Sequence, residues 1–327
     1  MMWKIPMRCV ALAVFFALGL PAAAESAADF TGERINLLVP YSPGGGADLY
    51  SRFLGPLITE RLPGKPTLVV KNVPGAGAIA GSNEFQARAR ADGTDLITAS
   101  ASVTSNFAFN DPRGRYKLDE WIPILSSATG TVVYVHGELG LRDTRDLAKL
   151  EGKTLKMGAN NPTGGDLRIL LAMDLLGIDI EPVFGMNRGL TQASFQRGEL
   201  NVDFSATASY LEQIVPLVES GTAVPLFSLG FADEAGNVGR DPAHPELPHF
   251  LEVYEQVHGK PLAGAAREAW DNIFNLHVMA TRAIMLPAGT PKPIVETYER
   301  AVNQMLADIE KDPELAAAAA NILGPHR

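Results

Sequence analysis

The sequence contains almost no cysteine: Cys9 is the only one among 327 residues. A single thiol cannot close an intramolecular disulfide, so the fold must depend on buried apolar surface, which a chain of this length can supply. Cys9 also lies in an N-terminal segment that we expect to be removed. The mature chain would then have no disulfides and no thiol chemistry.

The sequence also lacks any apolar run long enough to cross a membrane after its N-terminal segment. Residues 10–20 form an apolar stretch that is too short to cross a bilayer as a helix. Lys4 and Arg8 precede this stretch, and a Pro-Ala-Ala-Ala segment that ends at Ala24 offers an A-x-A cleavage site. The pattern predicts a secretory signal peptide, residues 1–24, cleaved after Ala24. An uncleaved N-terminal anchor is the alternative.

Basic residues are fewer than acidic ones: Lys and Arg number 28, whereas Asp and Glu number 37. Removal of residues 1–24 leaves 26 basic and 37 acidic residues, a net charge of −11. An acidic surface of this kind disfavours nucleic acid and anionic membranes as partners. Any anion site must therefore be local, built from a few oriented groups.

Motifs for catalysis and for nucleotide binding are also lacking. The sequence has no G-x-S-x-G, no H-E-x-x-H and no S-x-x-K, and its six histidines do not have metal-ligand spacing. No Gly-Lys-Ser/Thr follows the glycine-rich turn at 43–48. Residues 75–80 match G-x-G-x-x-A, but an Asn-Val-Pro segment separates them from the preceding strand. We therefore predict no enzymatic activity, no cofactor and no metal.

What the sequence does contain is an alternation of short apolar strands and amphipathic helices. The predicted strands are 35–39, 67–70, 95–99, 131–135, 154–157, 181–184, 200–204 and 224–229. This β-α-β rhythm predicts parallel sheets with helices on both faces, and the chain length predicts two domains. Residues 230–265, rich in Gly, Pro and His, are predicted to form a long connecting loop.

Two glycine-rich turns, 43–48 and 158–166, follow predicted strands. Ligands of open α/β sheets bind at the carboxyl ends of the strands. Glycines let backbone N–H groups point outward, and the first N–H groups of a helix lack partners and lie at the positive end of its dipole. Each turn is therefore a candidate anion site that needs no Arg or Lys. Turns from different domains can face each other across a cleft.

Plainer interpretations of the same residues stay open. Gly44–Gly46 can be no more than a tight strand-to-helix connection. Asp48 is either a ligand contact or a carboxylate that complements the helix dipole and pairs with Arg52; the second is favoured, because a bare carboxylate repels an anionic ligand. Ser100 and Ser102 either supply hydroxyls to the cleft or cap their own loop.

Four segments together resemble the signatures of one family. Residues 39–52, VPYSPGGGADLYSR, resemble V-P-[FY]-x-P-G-G-x-x-D-x-x-[AS]-R. Residues 69–77, 91–94 and 286–291 are similar to V-V-x-N-x-P-G-A-G, P-D-G-x-T and A-P-A-G-T-P. The family is that of the solute-binding receptors of tripartite tricarboxylate transporters, the Bug receptors, and the likeness extends through the whole mature chain.

The resemblance implies the α/β fold of a type II periplasmic binding protein, with two lobes of mainly parallel sheets joined by a hinge. It places residues 25–130 and 230–327 in the first lobe and 131–229 in the second. In the family, two opposed strand-to-helix loops hold a ligand carboxylate, largely through backbone groups and bound water. These loops carry over onto residues 41–48 and 158–166.

The second loop departs from the family pattern. Asn160, Asn161 and Asp166 stand where the family has a Gly-Ser run ending in His, and residues 185–187 lack its Tyr-Lys-Gly. Residues 198–203 keep its Gly-x-hydrophobic-x-hydrophobic-Asp run. The predicted ligand-binding residues are Tyr41, Ser42, Pro43, Gly44, Gly45, Gly46, Ala47, Asp48, Ser100, Ser102, Asn160, Asn161, Thr163, Gly164, Gly165, Asp166 and Asp203.

The function implied by the resemblance is that of a monomeric, non-enzymatic periplasmic receptor. It would capture a small carboxylate-bearing ligand between its lobes and deliver it to the permease subunits of a tripartite tricarboxylate transporter. A sensing module for a signalling partner and a periplasmic enzyme on the same fold are the alternatives. The ligand is left open among di- and tricarboxylates, aromatic carboxylates and amino acids, and we expect the second loop to set selectivity.

Overall fold

The computed structural model describes residues 28–323 except positions 234 and 280. The predicted signal peptide, residues 1–24, lies outside the described residues. Within the described part of the chain, no helix is both long and apolar enough to cross a membrane.

The first sheet has five strands, which we number in chain order with all others. β1 Arg34–Val39 pairs in parallel with β2 Thr67–Asn72 and with β3 Asp95–Ala99. β12 Arg282–Leu286 lies antiparallel between β3 and β4 Ile122–Ser127. The strand order is β2-β1-β3-β12-β4.

The second sheet repeats this plan. β6 Thr154–Ala159 pairs in parallel with β7 Asp179–Phe184 and with β8 Val202–Ala206. β5 Thr131–His136 lies antiparallel between β8 and β9 Ala223–Ser228. The order β7-β6-β8-β5-β9 matches that of the first sheet strand by strand, so β1 and β6 hold equivalent positions.

Helices connect and cover the strands. The longer ones are α1 Gly46–Thr59, α2 Ile79–Arg88, α3 Ala101–Ala108, α4 Leu167–Leu175, α5 Arg188–Gln196, α8 Phe250–His258, α9 Gly264–Phe274, α10 Lys292–Lys311 and α11 Pro313–Leu323. Two short helices, α6 Thr207–Ser209 and α7 Val215–Glu219, are joined by the π-helical turn Tyr210–Ile214. A second π-helical turn, Asn275–Met279, extends α9, and a small hairpin pairs β10 Phe231–Ala232 with β11 Val238–Gly239.

Both faces of each sheet are buried. Leu37 and Leu38 are neighbours on β1 and belong to different hydrophobic clusters, because successive side chains of a strand point to opposite faces. Val133 and Tyr134, neighbours on β5, likewise belong to different hydrophobic clusters. The predicted α/β architecture of two mainly parallel sheets covered by helices on both faces is confirmed.

The packing corrects the region predicted as a loop, residues 230–265, and with it the lobe boundary. Phe250 and Val253 on α8 and Trp270 on α9 are buried in the same core as the second sheet. Residues 250–279 therefore belong to the second lobe, although the sequence assigned 230–327 to the first. The Gly, Pro and His content of 230–265 indicated a loop, but residues 250–258 form the short amphipathic helix α8. At the start of this helix the Glu252 carboxylate accepts a hydrogen bond from the His249 N–H at 2.8 Å.

We call the part built on the first sheet, 28–127 and 282–323, the first lobe, and the part built on the second sheet, 131–279, the second lobe. The chain passes between them twice, near residue 129 and near residue 281. The Thr129 N–H donates to the Val278 carbonyl at 3.0 Å, so the two crossings lie side by side. The cleft between the lobes opens on the carboxyl ends of β1 and β6.

Candidate functional site

The first loop joins β1 to α1 and contains the glycine-rich turn. Gly44 adopts φ +76°, a left-handed conformation that favours glycine. Gly46 and Ala47 are the first residues of α1, so their N–H groups have no partner inside the helix and lie at its positive end. The loop therefore presents backbone donors to the cleft.

Asp48 lies behind this loop. Its side chain accepts hydrogen bonds from the Gly44 N–H, Arg52 Nε and Asn72 Nδ2, each at 2.9 Å, and the residue is 2% exposed. Burial alone would raise its pKa, but the Arg52, Gly44 and Asn72 donors outweigh that effect and hold the pKa below its usual value. Asp48 is absent from the cavity lining and shapes the turn instead.

The second loop joins β6 to α4 and also ends in a buried aspartate. Asp166 is 3% exposed and accepts the Asn160 N–H at 2.8 Å, which ties the start of the loop to its end. It precedes Leu167, the first residue of α4, but its carboxylate does not cap the helix. Burial raises the pKa of Asp166, because the Asn160 donors and the charges of Arg188 and Arg168 compensate only part of the lost hydration.

The two loops meet at one cavity of about 580 Å³. Of the predicted ligand-binding residues, the cavity is lined by Tyr41, Ser42, Pro43, Gly44, Gly45, Gly46, Ala47, Ser100, Ser102, Asn160, Gly165 and Asp166. Residues 74–78, which include the start of the G-x-G-x-x-A match, form a further wall. Burial raises the pKa of Tyr41 to about 12, so its hydroxyl is a neutral group.

Three of the remaining predicted residues belong to contacts between the lobes. Asn161 Nδ2 donates to the Ala76 carbonyl at 3.1 Å, and Thr163 Oγ1 donates to Asp111 Oδ2 at 2.6 Å. Gly164 closes the turn that these side chains occupy, through its N–H to the Asn161 carbonyl at 3.3 Å. The structure thus places Asn161, Thr163 and Gly164 outside the cavity lining. Asn161 and Thr163 join the second loop to the first lobe, and Gly164 closes their turn.

Further contacts close the cleft beside the cavity. The Gly165 N–H donates to Ser102 Oγ at 3.1 Å, and Gln213 Nε2 donates to the Gly44 carbonyl at 3.0 Å. Each of the two loops therefore touches the opposite lobe through its own backbone. A ligand in the cavity is enclosed by groups from both lobes.

Asp203, on β8, lies beneath the cavity rather than in its lining. It is fully buried and pairs with Arg188, whose Nη1 lies 2.7 Å from its Oδ1. Burial lowers the pKa of Arg188, but the nearby carboxylate of Asp203 more than offsets this and leaves the pKa above its usual value. Asp203 therefore acts on the cavity through Arg188, which does line it.

The sequence prediction missed the cationic groups of the site. Arg168, Arg188 and Arg282 all line the cavity, although the turns were expected to bind an anion without Arg or Lys. Arg168 and Arg282 are 7% and 4% exposed, and burial lowers the pKa of each to about 10, so both stay cationic at neutral pH. The site therefore combines helix N-termini with guanidinium groups.

A signal for two of these arginines was present in the sequence. Arg282 is the single charge in the otherwise apolar run 278–286, and Arg168 is the single basic residue in the apolar helix 167–175. Charged side chains are rarely buried unless they have a partner or a function. An isolated arginine in an apolar strand or helix is therefore a candidate binding residue.

The described residues contain no group of three or more His, Cys, Asp or Glu side chains placed to hold a metal ion. The polar groups that meet at the cavity are mostly backbone N–H groups, hydroxyls, amides and guanidiniums, with the carboxyl group of Asp166 beside them. Such groups bind oxygen acceptors by hydrogen bonds and charge.

Comparison with known sequences gives two proteins that are similar to this chain. The chain is 26% identical over 286 residues to the UPF0065 protein in the tcbD-tcbE intergenic region of Pseudomonas sp. (strain P51), a match that covers 85% of this chain and 75% of the relative. It is 35% identical over 92 residues to the protein BugT of Bordetella pertussis, a match that covers 28% of this chain and 27% of BugT. No family model matches the sequence.

Solved structures share the fold over most of the chain. The periplasmic binding protein BugD matches with a TM-score of 0.66 at 19% identity, over 89% of this chain and 87% of that one. MatC from Rhodopseudomonas palustris, solved with malate, matches with a TM-score of 0.66 at 20% identity, over 89% of each chain. A further R. palustris protein, solved with adipate, matches with a TM-score of 0.67 at 18% identity, over 89% and 87%.

The sequence relatives and the fold agree with the motifs at residues 39–52 and 69–77. The fold implied by the resemblance is confirmed: the chain has the fold of a periplasmic binding protein, and part of its sequence is similar to BugT.

Proposed function

We propose that this protein is a periplasmic receptor that captures a small carboxylate-bearing ligand between its two lobes. The observation that carries the proposal is the meeting of two strand-to-helix loops, one from each lobe, at a single cavity with three guanidinium groups. Backbone N–H groups at helix N-termini and guanidinium groups are both suited to carboxylate oxygens.

The size of the cavity agrees with such a ligand. Its volume of about 580 Å³ falls within the range of about 300–1,000 Å³ typical of small-molecule sites. The related structures solved with malate and with adipate hold small dicarboxylates. These observations support a carboxylate as the ligand without naming which one.

Ligand binding acts by closing the lobes. The side-by-side crossings near residues 129 and 281 supply a hinge, and the contacts of Asn161 and Gly165 with the first lobe form only when the lobes are close. A ligand that touches both loops binds the closed form better than the open form and shifts the population towards it.

The closed complex then delivers its ligand to the permease subunits of a tripartite tricarboxylate transporter, and the protein itself catalyses no reaction. An N-terminal signal peptide, residues 1–24, directs export to the periplasm, where the receptor is a monomer. The similarity to Bug-type proteins supports the periplasmic location and the role in transport.

The test begins with the ligand itself. We expect mass spectrometry of the purified protein to find a co-purified carboxylate, and a panel of carboxylates to raise the Tm of the ligand-free protein in a concentration-dependent way. A protein that is stabilised by no carboxylate of the panel would contradict the proposal.

A variant of the first loop tests the site. Gly45→Val adds a side chain at a residue with φ −76°, where an ideal Cβ meets only the Ser42 carbonyl oxygen at 3.5 Å, so we expect the fold to tolerate it. The added methyl groups occupy the cavity and obstruct access to the loop, so calorimetry should detect no binding. Gly239→Val, at an open position outside the cavity lining, is the matched control and should bind as the wild type does.

A further inference from the structure

Two of the three arginines that line the cavity have neither an ion-pair nor a hydrogen-bond partner among the described residues. Arg168 Nε, Arg282 Nε and Arg282 Nη1 are buried without a hydrogen-bond acceptor among the described residues. Neither guanidinium forms an ion pair within the described part of the chain, whereas Arg188 in the same cavity is neutralised by Asp203. Burying a charge without a partner costs several kcal/mol. Such a cost is retained in a folded protein when the charge serves binding.

The two unpartnered arginines come from opposite lobes and each lies beside one of the loops. Arg282, in the first lobe, is packed so closely on Gly46 that a Cβ at that glycine would collide with its Nη2. Arg168, in the second lobe, lies beside Gly165, where an ideal Cβ would be 3.2 Å from its Nη1. Each loop therefore offers its backbone donors together with a guanidinium group.

Aromatic rings hold both guanidiniums in place without neutralising them. The Arg168 Cζ lies 5.0 Å from the centroid of the Phe204 ring, and the Arg282 Cζ lies 5.6 Å from that of Tyr50. A ring face attracts a cation but carries no net charge. The charge of each guanidinium thus remains available to a ligand.

Little in the cavity wall offsets these charges. Asp166 is the one carboxylate among the described lining residues, and burial raises its pKa and so disfavours its charged form. Asp203 is committed to Arg188, and Tyr41 is neutral. Apart from the Arg188–Asp203 pair, the cavity wall therefore carries two positive charges and at most one negative charge to balance them.

We infer that Arg168 and Arg282 determine specificity by charge, and that the ligand carries at least two negative charges, one for each guanidinium. This inference rests on the proposed function, because it concerns the ligand of the same cavity. It narrows the carboxylates left open by the sequence: a monocarboxylate or a zwitterionic amino acid leaves one buried guanidinium without a counter-charge.

The experiment compares dicarboxylates with their own monoamides. Malonate, succinate, glutarate and adipate each have a monoamide that is of nearly the same size and differs by one charge. Isothermal titration calorimetry on the mature, ligand-free protein should give an affinity for at least one dicarboxylate that exceeds that for its monoamide about tenfold or more.

Variants show whether the arginines cause this preference. We expect Arg168→Gln and Arg282→Gln each to lower dicarboxylate affinity about tenfold or more while affecting the monoamide less, so that the preference shrinks. Arg168→Lys and Arg282→Lys keep the charge and should keep part of the preference. Arg197→Gln is the matched control, since Arg197 is half-exposed, pairs with Glu199 and lies outside the cavity lining.

A stability measurement keeps the inference testable if a variant loses all binding. Removing an unpartnered buried charge should raise the Tm of the ligand-free protein by about 2 °C or more in Arg282→Met, whereas a merely structural arginine would lower it on removal. Circular dichroism verifies that the variants are folded.

The outcomes separate the two proposals. Equal affinity for dicarboxylates and monoamides, or a preference unchanged in both glutamine variants, would overturn the charge inference and leave the receptor function intact. Binding of a singly charged carboxylate in preference to every multiply charged one would likewise overturn the charge inference. The receptor function itself is contradicted only if no carboxylate of the thermal-shift panel stabilises the protein.

Discussion

The two loops that meet at the cavity are built to the same plan but differ in how they handle a buried carboxylate. Each follows the equivalent strand of its sheet, β1 or β6, and each ends in an aspartate that accepts a backbone N–H from its own loop. The pKa of Asp48 is held below its usual value, whereas that of Asp166 is raised.

The difference lies in the cation nearest each carboxylate. Arg52 turns away from the cavity and donates directly to Asp48. Arg168, two residues after Asp166, turns its guanidinium into the cavity and makes no ion pair with that carboxylate. The carboxylate of the first loop is therefore neutralised by the adjacent Arg52, whereas the arginine of the second loop faces the cavity and leaves the Asp166 carboxylate only partly compensated.

Among the changes that test this difference between the loops, Asp48→Asn should have the largest effect on the free energy of unfolding. The amide keeps one acceptor but loses the charge that holds three donors, so we expect the free energy of unfolding to fall by about 2–3 kcal/mol at neutral pH. Urea denaturation measures this, with Asp312→Asn at an exposed position as the control. A loss below about 0.5 kcal/mol would contradict the account of the first loop.

Gly165→Ala tests the other loop as a contact between lobes. An ideal Cβ there lies 2.9 Å from Ala101 Cβ and 3.2 Å from the Ser102 nitrogen, so the lobes must separate by a few tenths of an ångström. We expect ligand affinity to fall about tenfold, about 1.4 kcal/mol, with the fold intact. Gly239→Ala, at an open position, should bind normally; undiminished affinity in Gly165→Ala would argue against closure at this contact.

Asp166→Asn should cost much less than Asp48→Asn. The amide oxygen can still accept the Asn160 N–H, and removal of an under-compensated buried charge offsets what is lost, so we expect a change in unfolding free energy within about 1 kcal/mol. The same denaturation experiment decides. If Asp166→Asn destabilises as much as Asp48→Asn, the two loops do not differ in the way described.

The smallest expected effect concerns pH, and its sign is opposite in the two loops. Asp166 has a raised pKa, so its ionised form destabilises the fold and protonation relieves this as the pH falls towards that pKa. Relative to Asp166→Asn, the free energy of unfolding of the wild type should therefore rise as the pH is lowered from 7. Asp48 has a lowered pKa, so its contribution is present above 3.8 and is lost only as the pH falls below that value. Urea denaturation from pH 7 to below pH 3.8 measures both effects. Each effect is the difference in unfolding free energy between the wild type and the corresponding asparagine variant, and neither trend should occur in the variant that lacks the carboxylate.

The sequence predicted much of this fold because its strands and turns carry local signals. Apolar runs such as 35–39 and 131–135 are typical of buried strands, and the glycines at 44–46 mark the turn at the end of β1. The helix α8 was missed because a short amphipathic helix with a histidine at its N-cap lacks strong local signals among the prolines and glycines around it.

The site was predicted less completely than the fold. Twelve of the seventeen predicted residues line the cavity, and these are mostly the backbone of the two loops, which the motifs mark directly. The arginines were missed because each comes from a different segment, and only tertiary packing brings positions 168, 188 and 282 together. Asn161 and Thr163 were placed in the ligand set because the sequence cannot tell a side chain that faces the cavity from one that faces the opposite lobe.

The position of β12 has a consequence for the order in which the chain folds. β12 lies between β3 and β4, and β4 pairs with no other strand of the first sheet. The first sheet thus remains unfinished until residues 282–286 are in place, whereas the strands of the second sheet all lie within 131–228. We expect the second sheet to form first, while the strands of the first sheet that are already present have an exposed edge, and the chain is most prone to aggregate at that stage.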